Sequence, residues 1–332
     1  MLKIHDKILK KGKGDIMNEF VVIKNLIKNY GDFCAVDNLS FSVKKGEIFG
    51  LLGPNGAGKS TTLNAITMLS DFSKGEISID GMNIKTDYQR IKMLIGIVPQ
   101  KIALYDHLTA IENVKFFASL YGLKGKALLL AAKEALGFVN LSEKSNLKPR
   151  QMSGGMLRRL NIACGIAHSP KLIIMDEPTV GVDTQSREHI LESIKILRSR
   201  GATIIYTSHY MNEVEEICDT IAIIDKGRLI ASGTKEELVS LVTNLKTVKI
   251  QTILNSDFNK DSFIKQMSAL THVKHIRIQE NDVIKIDLSL ECDDLTFIFD
   301  KISEFGLPFI SVNSDVPDLD TLFIALTGKE IR

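Results

Sequence analysis

Between Ile48 and Met68 the chain reads as a buried strand, a glycine-rich turn and a helix, and no other stretch narrows its fold as far. Ile48 to Leu52 is nearly all apolar, as a strand covered on both faces of a sheet must be. Gly53-Pro54-Asn55-Gly56-Ala57-Gly58-Lys59-Ser60 follows at once, and Ser60 to Met68 reads as a helix. Such a turn lies at the carboxyl ends of the strands, where α/β sheets bind their ligands. Its backbone N–H groups can curl round phosphate oxygens, and the helix N-terminus adds partial positive charge at the same place. Lys59 is placed to bridge β- and γ-phosphates and the Ser60 hydroxyl to ligate Mg²⁺. Gly53, Pro54, Asn55, Gly56, Ala57, Gly58 and Thr61 complete the cradle.

Two more segments carry chemistry. Leu172 to Met175 is an apolar strand that delivers Asp176 and Glu177 at its carboxyl end. Asp176 is expected to hold Mg²⁺ through water. Glu177, turned to the other side by strand alternation, is the candidate for orienting and deprotonating an attacking water. Met152-Ser153-Gly154-Gly155-Met156 opens the helical stretch Met156 to Ile166 and forms a second free helix N-terminus. One chain does not need two phosphate-binding helix ends for one nucleotide.

Together these segments resemble the ATP-binding cassette family, densely from Val21 to Ser232 and more loosely beyond. The resemblance implies ATP and Mg²⁺ as cofactors and an ATPase that works as a head-to-tail dimer. In that dimer Ser153, Gly154 and Gly155 complete the second copy's site. It also implies that Tyr30 stacks on adenine, that His209 senses the γ-phosphate, and that Asp183 contacts the second copy. Gln100, after the apolar strand ending at Val98, is placed to touch Mg²⁺ or the water when the γ-phosphate is present. The family's usual Leu-Ser-Gly-Gly-Gln departs here at Met152 and Met156, and Thr184 stands where this branch often has proline. Ser-Gly-Gly-Met followed by Arg158-Arg159-Leu160 resembles the drug and antibiotic exporter branch. The function implied is the motor of an efflux transporter, cytoplasmic and peripheral on the inner face of the membrane through a separate permease. An importer motor and a soluble cassette ATPase of translation or repair are the alternatives.

The expected fold class is α/β: a P-loop cassette with a parallel-sheet core, an antiparallel β layer and a helical subdomain, plus a small α+β ferredoxin-like domain. Thr203 to Thr207 joins the core strands. Val21 to Ile27, Leu39 to Val43 and Ile77 to Ile84 form the antiparallel layer, and Ile221 to Ile224 with Leu229 to Ala231 a closing hairpin. Residues 1–18 read as a flexible basic tail, with Met17 as an alternative start, 19–240 as the nucleotide-binding domain and 241–332 as an accessory or regulatory domain. Within the second of these, 102–155 reads as the helical insertion, which the family resemblance implies; its first helix has a Thr109/Glu112 capping box. In the last, strands at Val248 to Ile253, Val273 to Ile278, Val283 to Leu288 and Phe309 to Val312 alternate with helical stretches in the order β-α-β-β-α-β. Its last helix, capped by Asp318 and stopped by Gly328, carries an apolar stripe of Leu319, Leu322, Phe323 and Leu326.

Charge and cysteine content exclude several other classes. With 42 Lys and Arg against 40 Asp and Glu, the net charge of +2 argues against a general nucleic-acid surface. Cys34, Cys164, Cys218 and Cys292 are dispersed, with neither disulfide-framework nor metal-ligand spacing, which points to a reducing compartment. No apolar run reaches the roughly 18 residues of a membrane span.

Overall fold

The antiparallel layer is built from β1 (Glu19–Tyr30), which pairs with β2 (Phe33–Lys44) on one side and with β4 (Lys74–Ile79) on the other. The P-loop unit lies between them in sequence: β3 (Ile48–Leu52), then α1 (Lys59–Ile66). The stretch expected as one strand from Ile77 to Ile84 breaks after β4, because Asp80 and Gly81 take positive φ and turn the chain into the short β5 (Met82–Asn83). The layer order is β2-β1-β4-β5. We describe a computed structural model; it covers residues 18–239, 241, 245–254, 258–289, 291, 294–315 and 319–327. The expected basic tail with Met17, the Asp318 cap and the Gly328 stop lie outside the described residues.

A short α2 (Tyr88–Lys92) leads to β6 (Ile95–Val98), and then helices take over. α3 (Ala110–Leu120) starts at the expected capping box: Thr109 Oγ1 accepts from Glu112 N, and Glu112 Oε2 accepts from Thr109 N at 2.8 Å. α4 (Gly125–Phe138) and α5 (Gly154–Ile166) complete the insertion, with α5 packed on β6 and on both preceding helices. Then come β7 (Leu172–Asp176), α6 (Thr184–Ser199), β8 (Thr203–Thr207), α7 (Met211–Ile217), β9 (Thr220–Asp225) and β10 (Arg228–Gly233). The six-stranded sheet runs β10-β9-β3-β8-β7-β6, parallel from β9 to β6. β3 and β8 are buried along their whole length, and β7 up to its last residue, which is why their sequences lack alternation. Phe49, Leu51, Leu63, Ile66, Ile174 and Ile205 pack with Val21, Ile23, Leu39 and Ile77 into one core shared by sheet and layer.

The chain divides into two compact units after Thr234. The second opens with α8 (Lys235–Val239) and continues as β11 (Leu245–Gln251), α9 (Lys260–Ser268), β12 (Val273–Gln279), β13 (Val283–Ser289), α10 (Thr296–Glu304), β14 (Ser311–Asp315) and α11 (Leu319–Thr327). The order β-α-β-β-α-β is the expected one, and the antiparallel sheet runs β12-β13-β11-β14. One face packs Ile250, Ile284, Ile286 and Leu288 against Phe263 and Met267 of α9 and Ile298 and Ile302 of α10. The last strand begins two residues later than expected. Its ladder with β11 starts at the Gln251–Ser311 pair, just after Pro308, which has no N–H to give. Leu319, Leu322 and Phe323 of α11 are buried, α11 touches α8, and Thr321 bonds to the sheet, so the apolar stripe closes this unit's own interior.

Candidate functional site

The turn after β3 and the ends of β6, β7 and β8 meet at the carboxyl edge of the six-stranded sheet. Gly58 stands at φ +101, and a Cβ there would meet Ala35 O at 2.7 Å, so only glycine lets the loop press on β2 and still open α1. Lys59 is buried and reaches back over the loop, donating from Nζ to Gly53 O at 2.6 Å and Pro54 O at 3.2 Å. Burial pushes its pKa down, and Glu177 and Asp176 oppose that shift. An ammonium held only by neutral carbonyls in a desolvated turn is paired for exchange with an anion.

Ser60 Oγ donates to Asp176 Oδ2 at 3.2 Å, and Thr207 Oγ1 donates to Asp176 Oδ1 at 2.7 Å. One hydroxyl beside one carboxylate is a fitting donor set for Mg²⁺, which prefers few protein oxygens and takes the rest of its shell from phosphate and water. No cluster of three or more acidic, His or Cys side chains that could hold a metal exists among the described residues.

Glu177 lies beyond β7, and its φ of +48 corrects the expectation that strand pleating aims its side chain. Its N–H bonds Thr207 O at 3.2 Å and Thr207 Oγ1 at 3.0 Å, which pins the left-handed turn. The buried carboxylate accepts from Gln100 Nε2 at 2.5 Å and has His209 Nδ1 3.6 Å away. The structure thus brings Lys59, Ser60, Asp176, Glu177, Gln100 and His209 together from four separate segments.

A cavity of about 270 Å³ joins this cluster to Tyr30; Pro54, Asn55, Gly56, Gly58, Lys59, Ser60 and Thr61 line it with Gln100 and Glu177. Gly53 and Ala57 support the loop from behind: Lys59 bonds the first, and Gly227 N bonds the carbonyl of the second. Tyr30 is half-exposed, with Lys28 Nζ 4.9 Å from its ring centre. Phe33, which the sequence reading did not single out, lines the same mouth. A larger cavity of about 380 Å³, lined by Ala135, Phe138, Ala167, Leu197 and Arg200, holds none of these groups. Chemistry rather than size therefore selects the site.

Ser153, Gly154, Gly155 and Asp183 do not line the P-loop cavity. They form a second cluster at the adjacent N-termini of α5 and α6. Ser153 Oγ accepts from Met156 N at 3.3 Å, and Asp183 accepts from Ser186 N at 2.9 Å and Ser186 Oγ at 2.8 Å. Those bonds hold the exposed Asp183 carboxyl below its usual pKa. A Cβ on Gly155 would come within 2.2 Å of Ser186 Oγ, so this glycine is needed for the close approach of the two helix starts. Thr184 is the first residue of α6, a place where proline and threonine are both accepted.

Two buried residues tie the loops together: Arg158, read in the sequence only as a mark of the exporter branch, and Glu213, which the sequence does not single out. Arg158 of α5 holds backbone carbonyls of the Gln100 loop and of Val180. Glu213 of α7 accepts from Thr179 Oγ1, Tyr206 OH and Ser208 Oγ at 2.7 to 2.8 Å, with Arg187 Nε at 3.2 Å. The neighbouring Ser153-Gly154-Gly155 marks the position of Arg158, but nothing in the sequence marks its contacts.

The family model described as ABC transporter matches residues 36–180. The linearmycin resistance ATP-binding protein LnrL of Bacillus subtilis is 43% identical over 311 residues, covering 93% of this chain and 98% of that protein. The Nod factor export ATP-binding protein I of Sinorhizobium fredii is 39% identical over 327 residues, 98% of this chain and 90% of that protein. Among solved structures, the dimeric post-hydrolysis state of the ATP-binding cassette MJ0796 bound to ADP and Pi superposes with a TM-score of 0.60 at 30% identity. It covers 64% of this chain and 98% of that one.

Proposed function

Because this chain belongs to the ATP-binding subunits of ABC transporters, we propose that it is the motor of an efflux transporter, acting as a dimer on a separate membrane permease. It is an ATPase that uses ATP with Mg²⁺. The observation that carries the dimeric reading is the second cluster: Ser153, Gly154 and Gly155 form a helix N-terminus outside the P-loop cavity of their own chain. A head-to-tail copy gives that end a nucleotide to hold. The dimeric cassette among the structural neighbours supports this arrangement. Export is supported by relatives whose names speak of antibiotic resistance and of Nod factor export. No helix among the described residues is long and apolar enough to cross a membrane, which agrees with a pore supplied by another chain and with a peripheral place on the inner face.

In this reading Ser60 and Asp176 would hold Mg²⁺, which would supply positive charge to offset that of the phosphates. Lys59 gives up its two carbonyls for phosphate oxygens. Glu177, kept in place by Thr207, takes a proton from the attacking water; Gln100 orients it, and His209 lies on the same carboxylate edge to follow the γ-phosphate. Tyr30 stacks on the base. The unit from Lys235 onward acts as an accessory domain without chemistry of its own, since its buried Arg277 and Asp287 are paired with each other. Affinity purification of the full chain from membranes tests the proposal: a multispan protein should co-purify. Recovery of the ATPase with no such protein would contradict it.

A further inference from the structure

Arg158 stands one and a half turns into α5, the helix whose N-terminus is Ser153-Gly154-Gly155. Its guanidinium is buried and donates to the chain's own loops around Gln100 and Val180. NH1 donates to Gln100 O at 2.7 Å and to Pro99 O at 3.3 Å, and NH2 donates to Val180 O at 3.2 Å. Asn161, about one turn further on, adds Nδ2 to Pro99 O at 3.2 Å and accepts from Ala103 N at 3.2 Å. Both loops that Arg158 holds end on Glu177. Gln100 gives its side chain to Glu177 Oε2, and Val180 gives its N–H to Glu177 O at 3.4 Å. A full charge spent on three neutral carbonyls, with burial lowering its pKa, is an expensive way to pack a helix. A planar fork that joins two loops to one helix is what a rigid coupling requires.

We infer that Arg158 is a positioning residue that couples the two nucleotide sites of a dimer: it carries the engagement of its own helix end by the second copy's nucleotide to Glu177 of its own chain. The inference rests on the composite-site reading above. When the N-terminus of α5 is held in the opposite site, the helix and its guanidinium fix Pro99, Gln100 and Val180 together, and the base is set for water. When that end is free, the same three carbonyls move with α5 and Glu177 loses its orientation. Coupling of this kind appears as cooperativity in ATP and in turnover rather than in the first binding event.

Three variants of the full chain test it, with steady-state phosphate release and fluorescent-nucleotide binding as readouts. Wild type is expected to show a Hill coefficient for ATP above one. Arg158→Gln, which keeps the volume approximately and loses the fork, is expected to bind the fluorescent nucleotide within about threefold of wild type, lose about tenfold or more in kcat with little change in KM, and fall to a Hill coefficient near one. Arg158→Lys, still a cation that reaches a carbonyl, should recover part of both losses, which a loss of folding would not allow. Ser153→Arg separates the two readings: unchanged turnover there defeats the composite site itself. If Ser153→Arg abolishes turnover while Arg158→Gln keeps the wild-type kcat and Hill coefficient, the composite site stands and the coupling role of Arg158 is overturned. A non-cooperative wild type, or an Arg158→Gln defect confined to KM, overturns it as well.

Discussion

In the nucleotide unit the buried charges Lys59 and Glu177 stand at the opening of a helix and in the turn after a strand, whereas in the C-terminal unit Arg277, Lys285 and Asp287 stand in the middle of regular strands. Lys59 is satisfied by two carbonyls at the rim of a cavity, and Glu177 by a side-chain amide that another ligand can displace. Asp287 accepts from Arg277 NH2 at 2.5 Å, Thr247 Oγ1 at 2.8 Å and Thr321 Oγ1 at 3.2 Å; Thr321 belongs to α11, which lies over this face of the sheet. Similar side chains at similar burial thus serve different ends. A buried charge whose partners are replaceable and face a cavity is poised for a ligand, and one whose partners are fixed on neighbouring strands and a covering helix holds the fold.

The comparison breaks most visibly at Glu177. Glu177→Gln should bind ATP within about threefold of wild type and lose about a hundredfold or more in phosphate release, since the amide keeps the shape and loses the basicity. Turnover at the wild-type rate would put the base elsewhere. Arg277→Met should behave in the opposite way: it strands Asp287 and should cost the C-terminal unit about 3 to 5 kcal/mol, read by hydrogen exchange in β12 and β13, with ATPase activity within about twofold. Loss of nucleotide binding in a folded Arg277→Met chain would mean that the second unit contributes to the site.

Lys285 sharpens the contrast through pH. Burial, with Arg277 nearby, pushes its pKa down to about 8 from 10.5, against the pull of Asp287 and Asp320. Between those values the unfolded chain binds a proton that the native chain has released, so stability of this unit rises with pH across that window. Thermal unfolding of the full chain should show the rise, and Lys285→Met should remove it. A wild-type profile that is flat from pH 8 to 10.5 contradicts the assignment.

Much of the site is legible in the sequence because its parts are local. The P-loop announces itself by a strand, a turn and a helix, and Asp176 with Glu177 by a buried strand that stops at two acids. Ser153 and Asp183 both stand three residues before the backbone N–H that they cap. Glu177 is legible as a residue but not as a geometry, because its left-handed turn depends on Thr207, thirty residues away on β8. The contacts of Arg158 and Glu213 are not legible for the same reason: each binds segments that only the folded sheet brings near. In the C-terminal unit the alternation of β13 shows its apolar face, Ile284, Ile286 and Leu288, but not that Lys285 and Asp287 on the other face are buried too. A covering helix near the end of the chain decides that.

A smaller effect is expected at the mouth of the cavity. Tyr30→Ala should weaken ATP binding about tenfold through lost stacking, and Tyr30→Phe should be close to neutral. Equal effects of the two would point to the hydroxyl rather than to the ring.

The account stands or falls on two sites being shared between two copies. Mixing Lys59→Ala chains with Ser153→Arg chains gives, in each mixed dimer, one site with both lesions and one with neither. With random pairing about a quarter of all sites are then intact, and ATP retained by the protein should recover to about that fraction while each variant alone retains little. Confirmed mixed dimers with no recovery of retained ATP would contradict the placement of Ser153 in the opposite site.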